Sequence, residues 1–247
     1  MNPKVSIITV VFNGEHVIER TIQSVAEQTY SNIEYIIIDG SSKDNTIEII
    51  KKYNNNITFW LSEPDKGLYD AMNKGLRLAT GDYVWFLNAG DKIFAPDTTE
   101  KIFLSSQNCD IYYGETLIVD DSGNEIGTRR LKIPKQLSWK SFRKGMVVCH
   151  QSIIIKKQLV EPYNVYIKVA SDFEWVLKAL KKSKTIKNTG IYICKFLDGG
   201  INKQKIPQGL KDRFKIMVNQ YGLIVTIASH IPIAIKFFWY WGVNKRF

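Results

Sequence analysis

Residues 82–91 read DYVWFLNAGD, and the rest of the chain is organised around this stretch. Its apolar run at residues 83–87 is short, continuous and followed by turn residues, which predicts a strand buried on both faces. The run ends in a polar tip of Asn88, Gly90 and Asp91. Ligands of open α/β sheets bind beyond the carboxyl ends of such strands, so we expect this tip to face a ligand.

The chain before this strand alternates strands and helices at short spacing. The predicted elements are strands at residues 5–12, 33–38 and 58–61 and helices at residues 15–28, 44–53 and 68–79. This alternation predicts parallel βαβ units, and hence a Rossmann-like, mostly parallel sheet with helices on both faces. The glycine motifs of dinucleotide-binding folds and of P-loop NTPases do not occur in the sequence, which disfavours both classes.

The chain after this strand has a different pattern. The turn sequence at residues 121–124, DSGN, separates two β-rich runs and predicts an antiparallel hairpin. The other predicted elements are helices at residues 97–104, 171–180 and 207–220 and strands at residues 110–119, 125–133, 147–155 and 185–196. We therefore expect one α/β domain with a first half at residues 1–95, a smaller half at 96–206 and a helical tail at 207–247.

Charge is distributed unevenly along the 247 residues, whose net charge is +10. Residues 178–247 contain 14 Lys/Arg and 2 Asp/Glu, whereas residues 1–177 contain 20 and 22. A basic C-terminal third favours a polyanionic partner, either an anionic membrane or nucleic acid, and a solvated basic face is the alternative. Nucleic acid is disfavoured because the aromatic residues there form one apolar block instead of alternating with the basic residues.

The tail has the composition of an interfacial membrane anchor. Residues 221–235 are uncharged, a length below the roughly 20 residues that span a bilayer. Lys236, five aromatic residues at 237–241, Lys245 and Arg246 follow. Aromatic residues beside basic ones predict peripheral membrane contact. A helix packed on the main domain and a homo-oligomer interface are the alternatives.

The cysteines and the amino terminus indicate the compartment. Three scattered cysteines without C-x-x-C spacing argue against both a disulfide framework and a zinc site. The first residues, MNPKVSIITVVFNG, lack the features of a signal peptide. We therefore expect a cytoplasmic protein, peripheral on the inner face of the membrane.

Five ordered strings carry a family resemblance. They are VSIITVVFNG at residues 5–14, IQSVAEQTY at 22–30, IDGSSKDNT at 38–46, EPDKGLYDAMNKG at 63–75 and TGDYVWFLNAGD at 80–91. Together they resemble family-two inverting glycosyltransferases of the GT-A fold, in the bacterial branch that builds polysaccharides and surface glycans. The resemblance is dense over residues 1–95, rests on isolated motifs in the middle and hardly includes the tail.

The resemblance implies a nucleotide-sugar site at the strand ends. Asp39 matches the acid that reads the uracil ring, and Asp65, Lys66 and Gly67 match a loop beneath the base and diphosphate. The full set implied to bind the nucleotide-sugar is Thr9, Val11, Asn13, Asp39, Asp65, Lys66, Gly67, Asn73, Asn88 and Ala89. From residue types alone, turn-capping roles for Asp39 and Asn13 and a solvated Lys66 stay open.

The strand tip corresponds to the family's DxD motif, from which this chain departs. Asn88 and Gly90 stand where the family commonly has Asp, so Asp91 remains as the carboxylate. A divalent cation, Mn²⁺ or Mg²⁺, prefers oxygen ligands, and the donor diphosphate supplies several of them. We expect Asp91 to hold the cation and Asn88 to reach the ribose or a metal-bound water; a simple turn role for Asp91 is the alternative.

The catalytic candidates lie in the second half. An inverting transfer requires a general base for the acceptor hydroxyl. Ser171-Asp172-Phe173-Glu174 matches the position of the family's base, which implies Asp172 in that role, with Glu174 as the fallback. A helix-dipole charge is the alternative for Asp172. His150, which precedes Gln151, matches a pair that recurs near the donor sugar or acceptor; a structural histidine is the alternative.

The resulting hypothesis is an inverting glycosyltransferase. It would move a sugar from a nucleotide diphosphate, UDP in the first instance, to a glycan or polyprenyl-diphosphate-linked acceptor. The competing hypothesis, which the reduced DxD motif favours, is a non-catalytic module that binds a nucleotide-sugar or a glycan on the same scaffold.

Overall fold

The computed structural model describes residues 2–105, 108–199 and 205–232. The strands are β1 (Val5–Val11), β2 (Ile33–Asp39), β3 (Phe59–Ser62), β4 (Tyr83–Phe86), β5 (Lys92–Ile93), β6 (Ile111–Val119), β7 (Glu125–Thr128), β8 (Ile153–Lys156) and β9 (Ile186–Leu197). The helices are α1 (Ile18–Ala26), α2 (Thr46–Lys52), α3 (Leu68–Leu78), α4 (Thr98–Leu104), α5 (Ser171–Lys182) and α6 (Ile206–Tyr221), and residues 223–232 are also helical.

Strand β4 lies inside one continuous sheet, as the sequence predicts. Among the described residues the strand order is β3-β2-β1-β4-β8-β6-β9-β5, and β7 pairs with β6. Strands β3, β2, β1 and β4 are parallel, whereas β8 is antiparallel to both β4 and β6. The predicted α/β fold, with a mostly parallel first half, antiparallel pairing in the second half and helices after it, is confirmed.

The strand directions bring distant segments to one edge of the sheet. The carboxyl ends of β1 to β4 share that edge because these strands are parallel. The amino end of β8, and with it His150, lies there because β8 runs the other way. Strand β6 is antiparallel to β8 and parallel to β9, so β9 ends there at Leu197. We call this edge the carboxyl edge.

Two apolar layers hold the helices against the sheet. On one face, β1 side chains such as Ile8 and Val10 pack with α3 and α5. On the other face, Ile7 packs with α1, α2 and α4. Alternate residues of β1 therefore point into opposite layers, and all seven are buried. This explains why the strand reads as a continuous apolar run.

Two of the predicted strands are shorter at the carboxyl edge, and the strand predicted at residues 125–133 ends at Thr128. Strand β4 ends at Phe86 because the chain turns beyond Leu87: Asp91 N donates to Asn88 O over 3.0 Å, and Gly90 has φ 100°. The predicted strand at residues 147–155 begins at Ile153 instead, because a 3₁₀ turn precedes it. Both turns lie at the carboxyl edge, where polar tips replace regular pairing.

The C-terminal helices continue from the sheet. Helix α6 agrees with the basic helix predicted at residues 207–220. No helix within the described residues is long and apolar enough to cross a membrane. Residues 233–247, which carry the predicted aromatic and basic anchor, lie outside the described residues.

Candidate active site

The ends of β1 and β2 form a braced pair of loops. Asn13 has φ 48°, and its side-chain oxygen accepts from Lys43 N over 2.9 Å. Its backbone N–H donates to Ser42 Oγ over 2.7 Å. Asp39 has 0% exposure, and its carboxylate accepts from Ser42 and from Ser62 Oγ, the latter over 2.6 Å. Asp39 therefore organises these loops from below, and it does not present a free oxygen to a base in this conformation.

Phe12 is a candidate ligand contact that the sequence analysis missed. It follows β1 directly, and its side chain is 63% exposed, although aromatic rings usually lie in the core. Its ring lies 3.3 Å from the position that a Cβ on Gly40 would take, and that Cβ would also overlap the Asp65 carboxylate. Three segments thus converge around an open aromatic ring. An aromatic residue between a buried strand and an Asn-Gly turn was the available signal.

The loop before α3 presents the amino end of that helix. Gly67, with φ 114°, precedes the first helical residue, and its N–H donates to Asp65 Oδ1 over 2.8 Å. Lys66 N donates to Asp70 Oδ2 over 3.0 Å, and the Lys66 side chain is exposed. A helix amino end and a free ammonium group both favour a negative charge, as a diphosphate carries.

Helix α3 also holds the segment that leads to α5. Asn73 is 7% exposed, and its amide donates to Tyr163 O over 2.9 Å and accepts from Tyr163 N over 2.7 Å. Tyr69 Oη donates to Val169 O over 2.7 Å. Both polar groups of Asn73 are therefore engaged by protein backbone. In this structure the Asn73 amide holds the backbone of Tyr163, and its contact with a nucleotide stays a prediction.

Asp172 lies where this segment enters α5, half-buried beside α3. Its Oδ1 accepts from Phe173 N over 2.8 Å and lies 3.4 Å from Tyr69 Oη. The second carboxylate oxygen, Oδ2, accepts no hydrogen bond from the described residues. Tyr69 belongs to the first turn of α3, two residues after Gly67, so Asp172 lies beside the amino end of that helix.

Glu174 does not share that location. A separation of two residues along a helix corresponds to a rotation of about 200°. Asp172 and Glu174 therefore point to different sides of α5. Glu174 is 8% exposed, and its Oε2 lies 3.7 Å from Lys178 Nζ. The structure thus separates the two candidate bases and favours Asp172.

His150 lies inside an aromatic cluster beneath the edge. It is 4% exposed, its Nε2 lies 2.7 Å from Tyr163 Oη, and its ring contacts those of Phe86 and Trp175. Burial lowers the pKa of His150 to about 4, so the ring is neutral near neutral pH. A buried, neutral imidazole supports the segment around Tyr163 and is a poor proton acceptor. The cluster itself had no signal in the sequence pattern.

Asp91 is buried at the β4 tip, against our expectation of an open metal ligand. It is 3% exposed, and its Oδ1 accepts from Leu197 N over 2.9 Å. Burial raises the pKa of its carboxyl to about 7, opposed by the Leu197 hydrogen bond and by the charge of Arg20. Asp91 therefore joins the β4 tip to the end of β9.

The donor set at the tip fits a divalent cation only in part. Asn88 Oδ1 is buried without a hydrogen-bond partner among the described residues, and this neutral oxygen suits a hard cation. Asp91 does not fit as a ligand in this conformation. The described part of the chain contains no group of three or more His, Cys, Asp or Glu side chains that could hold a metal. A cation here would therefore take most of its ligands from the substrate and from water.

The predicted nucleotide-sugar residues divide into two groups by exposure. Exposed or half-buried at the carboxyl edge are Asn13, Asp65, Lys66, Gly67, Asn88 and Ala89. Buried beneath it are Thr9, Val11, Asp39 and Asn73. The Thr9 hydroxyl, for example, donates to Leu87 O over 2.7 Å and so ties β1 to the β4 tip. The second group shapes the site without presenting side chains to it.

The family follows from a sequence match. Residues 6–161, more than half of the chain, match the family described as Glycosyl transferase family 2, and the chain belongs to that family. It is 31% identical over 217 residues to an uncharacterized glycosyltransferase of Mycobacterium tuberculosis, covering 84% of this chain and 80% of that protein. It is 25% identical over 241 residues to the Escherichia coli UDP-Glc:alpha-D-GlcNAc-diphosphoundecaprenol beta-1,3-glucosyltransferase WfgD, covering 94% of each chain.

Solved structures confirm the GT-A fold. Staphylococcus aureus TarS in complex with UDP-GlcNAc superposes with a TM-score of 0.70 at 17% identity, covering 88% of this chain and 67% of that one. The mannosyltransferase PcManGT of Pyrobaculum calidifontis, in complex with GDP-Man and Mn²⁺, gives a TM-score of 0.66 at 16% identity, covering 94% and 71%. The predicted family, fold and enzyme class, a glycosyltransferase, are thus confirmed.

Proposed function

We propose that this protein is an inverting glycosyltransferase that transfers a sugar from a UDP-sugar to a lipid-linked glycan acceptor. One observation carries the proposal: α3 joins a loop suited to a diphosphate, at Lys66 and Gly67, to a carboxylate at Asp172. A nucleotide-sugar bound along the carboxyl edge would place its leaving group at the first feature and its acceptor near the second. These are the two parts that an inverting transfer requires.

In the proposed reaction, Asp172 takes the proton of the acceptor hydroxyl. The acceptor oxygen then forms a bond to the anomeric carbon as the bond from that carbon to the diphosphate oxygen breaks. Attack in line with the leaving group inverts the configuration, and UDP leaves with the electron pair. The hydrogen bond from Phe173 N and the nearby Tyr69 hydroxyl orient the Asp172 carboxylate for this step.

The leaving diphosphate needs positive charge. We propose that the exposed Lys66 ammonium and the dipole of α3 supply it, beside the Asp65 and Asp70 carboxylates that accept from N–H groups at that helix end. A bound Mn²⁺ or Mg²⁺ would add Lewis-acid stabilisation of the diphosphate, with Asn88 as the protein oxygen that suits it. Asp91 would stabilise the conformation of the β4 tip through its hydrogen bond with Leu197 N.

Uracil is the proposed base, and a lipid-linked glycan the proposed acceptor. The relative WfgD carries UDP-Glc and a diphosphoundecaprenol acceptor in its name, and it matches over nearly the whole of this chain. We propose a polyprenyl-diphosphate acceptor for this chain as well, which places the enzyme on the inner face of a membrane. The identity of the sugar depends on contacts that a donor complex would have to define.

Calorimetry with nucleotides is the first test. We expect UDP and at least one UDP-sugar to bind, more tightly with Mn²⁺ than without it. Tighter binding of GDP than of UDP would contradict the uracil proposal and favour a GDP-sugar, the donor type bound in PcManGT. Binding without sugar transfer or donor hydrolysis, with Mn²⁺ present, would favour the non-catalytic alternative.

Removing the exposed ring of Phe12 should weaken nucleotide binding. Base–aromatic stacking contributes about 1–3 kcal/mol, so Phe12→Ala is expected to raise the Kd for UDP roughly tenfold to a hundredfold. Phe59→Ala is the matched control, because Phe59 is 43% exposed but lies at the amino end of β3, on the opposite edge. Equal UDP affinities for the two variants would mean that Phe12 does not contact the base.

A further inference from the structure

The helix at residues 223–232 exposes its apolar side chains and buries a polar one. Its apolar side chains Leu223, Ile224, Ile227 and Ile231 are 54%, 84%, 49% and 53% exposed. Thr226, in contrast, has 0% exposure. A surface helix of a globular protein normally turns its apolar side to the core. This helix does the opposite, so its outer side is suited to an apolar environment.

Hydrogen bonds within the helix allow the polar side to face inward. Thr226 Oγ1 donates to Gly222 O over 2.8 Å, and Ser229 Oγ donates to Val225 O over 2.7 Å. His230 Nδ1 lies 2.8 Å from Thr226 O. These side chains find partners on their own helix and need no water. Thr226 can therefore be buried, and Ser229 and His230 half-buried, without unpaired polar groups.

Helix α6 carries a second row of exposed apolar side chains. Ile206, Leu210 and Phe214 follow each other at four-residue spacing and are 55%, 61% and 38% exposed. The Phe214 ring contacts that of His230, with centroids 5.4 Å apart, so the two helices adjoin at this point. We call the seven exposed residues the C-terminal apolar face: Ile206, Leu210, Phe214, Leu223, Ile224, Ile227 and Ile231.

The charge around this face is positive. Lys205, Lys211 and Lys215 of the same segment are exposed. Its acidic residue, Asp212, is buried and accepts from Val169 N over 3.1 Å and from Gln208 Nε2 over 2.7 Å. Exposed cations beside an apolar surface complement an anionic bilayer, whereas they would repel the same face of a second copy.

We propose that the C-terminal apolar face docks on the surface of an anionic lipid bilayer, with its apolar side chains in the headgroup boundary. Within the described residues, the helical part after Gly222 covers ten residues, and no helix there is long and apolar enough to cross a membrane. The face is also connected to the site: α6 contacts Val169 through Asp212, and Val169 O accepts from Tyr69. Docking would therefore bring the side of Asp172 near the lipid surface.

Flotation of the full chain with vesicles tests this proposal, in the absence of donor and acceptor, so that it can fail independently of the proposed transferase activity. We expect binding to vesicles of phosphatidylcholine with phosphatidylglycerol, weaker binding at high salt, and little binding to phosphatidylcholine alone. The double variant Ile224→Glu/Ile227→Glu should lose about tenfold or more of this affinity. The matched control, Leu104→Glu/Ile126→Glu, adds the same charge at two residues that are 77% and 53% exposed elsewhere, and it should bind like the wild type.

Three outcomes would overturn the proposal. Unchanged vesicle binding by the face variant, together with loss in Lys236→Glu/Lys245→Glu, would assign the membrane contact to residues 233–247 alone. Sedimentation showing a dimer that the face variant dissociates, without vesicle binding, would make the face a subunit interface. An equal loss in both glutamate double variants would show a simple effect of net charge. Far-UV circular dichroism and thermal unfolding verify that each variant is folded.

Discussion

Asp172→Asn is expected to reduce the turnover of the sugar transfer by about 10²- to 10⁴-fold, the usual contribution of a general base. Asparagine has the same shape and can still accept the hydrogen bond from Phe173 N, but it cannot take a proton. The Kd for UDP should therefore stay at its wild-type value. Steady-state kinetics with a UDP-sugar and a lipid-linked acceptor, combined with calorimetry, measure the two effects separately.

Glu174→Gln is the control for this prediction. Glu174 faces Lys178 on another side of α5, so its replacement should change the turnover no more than a few-fold. The base assignment would be wrong if Asp172→Asn retained turnover, and still more clearly if Glu174→Gln abolished it.

The second large effect concerns stability and its dependence on pH. Burial raises the pKa of Asp91 to about 7, from an ordinary value near 4, so the folded state binds this proton more tightly than the unfolded state. The free energy of unfolding should therefore fall as pH rises between about 4 and 7, with the full cost present above 7. A shift of this size corresponds to about 4 kcal/mol at most.

Asp91→Asn removes this cost and keeps an oxygen for Leu197 N. We expect the variant to match the wild type near pH 4 and to exceed it by up to about 4 kcal/mol above pH 7. Urea unfolding across this pH range measures the difference. Asp97→Asn, at a half-buried residue that pairs with Lys101, makes the same charge change and should show no such trend. A pH-independent difference for Asp91→Asn would indicate that the carboxylate is ionised throughout, paired with Arg20.

The first half of the fold is predictable because its signals are local. The apolar run at Val5–Val11 and its counterpart in β2 each read as a buried strand, and the helix predicted between them is the crossover that parallel pairing requires. The position of β8 is not predictable in this way. Its insertion between β4 and β6 depends on contacts between residues far apart in sequence, such as Val84 and Ile155, for which a single sequence has no local signal.

The location of the candidate site is predictable from the sequence, whereas the direction of its side chains is not. Motifs assign Asp39, Asn73 and Asp91 to the carboxyl edge, and all three lie close beneath it. Spacing along the chain does not determine whether a side chain at a strand end points outward or back into the protein. That direction depends on neighbours such as Ser62 and Leu197, which approach from other parts of the chain. Phe12 was missed for the opposite reason, because an aromatic residue after a strand is usually buried.

The contacts of Tyr69 and Asn73 have a consequence for how specificity can change within this family. One rigid helix carries the loop proposed to hold the leaving group and also fixes the backbone of Tyr163 and Val169, next to the proposed base. The spacing between leaving group and base is thus an internal property of α3 and its two anchor points. Residues 120–136, which lie outside this connection and are exposed or half-buried, can vary more readily in sequence and length than the buried strands. New acceptors could be selected there without rebuilding the geometry of the transfer.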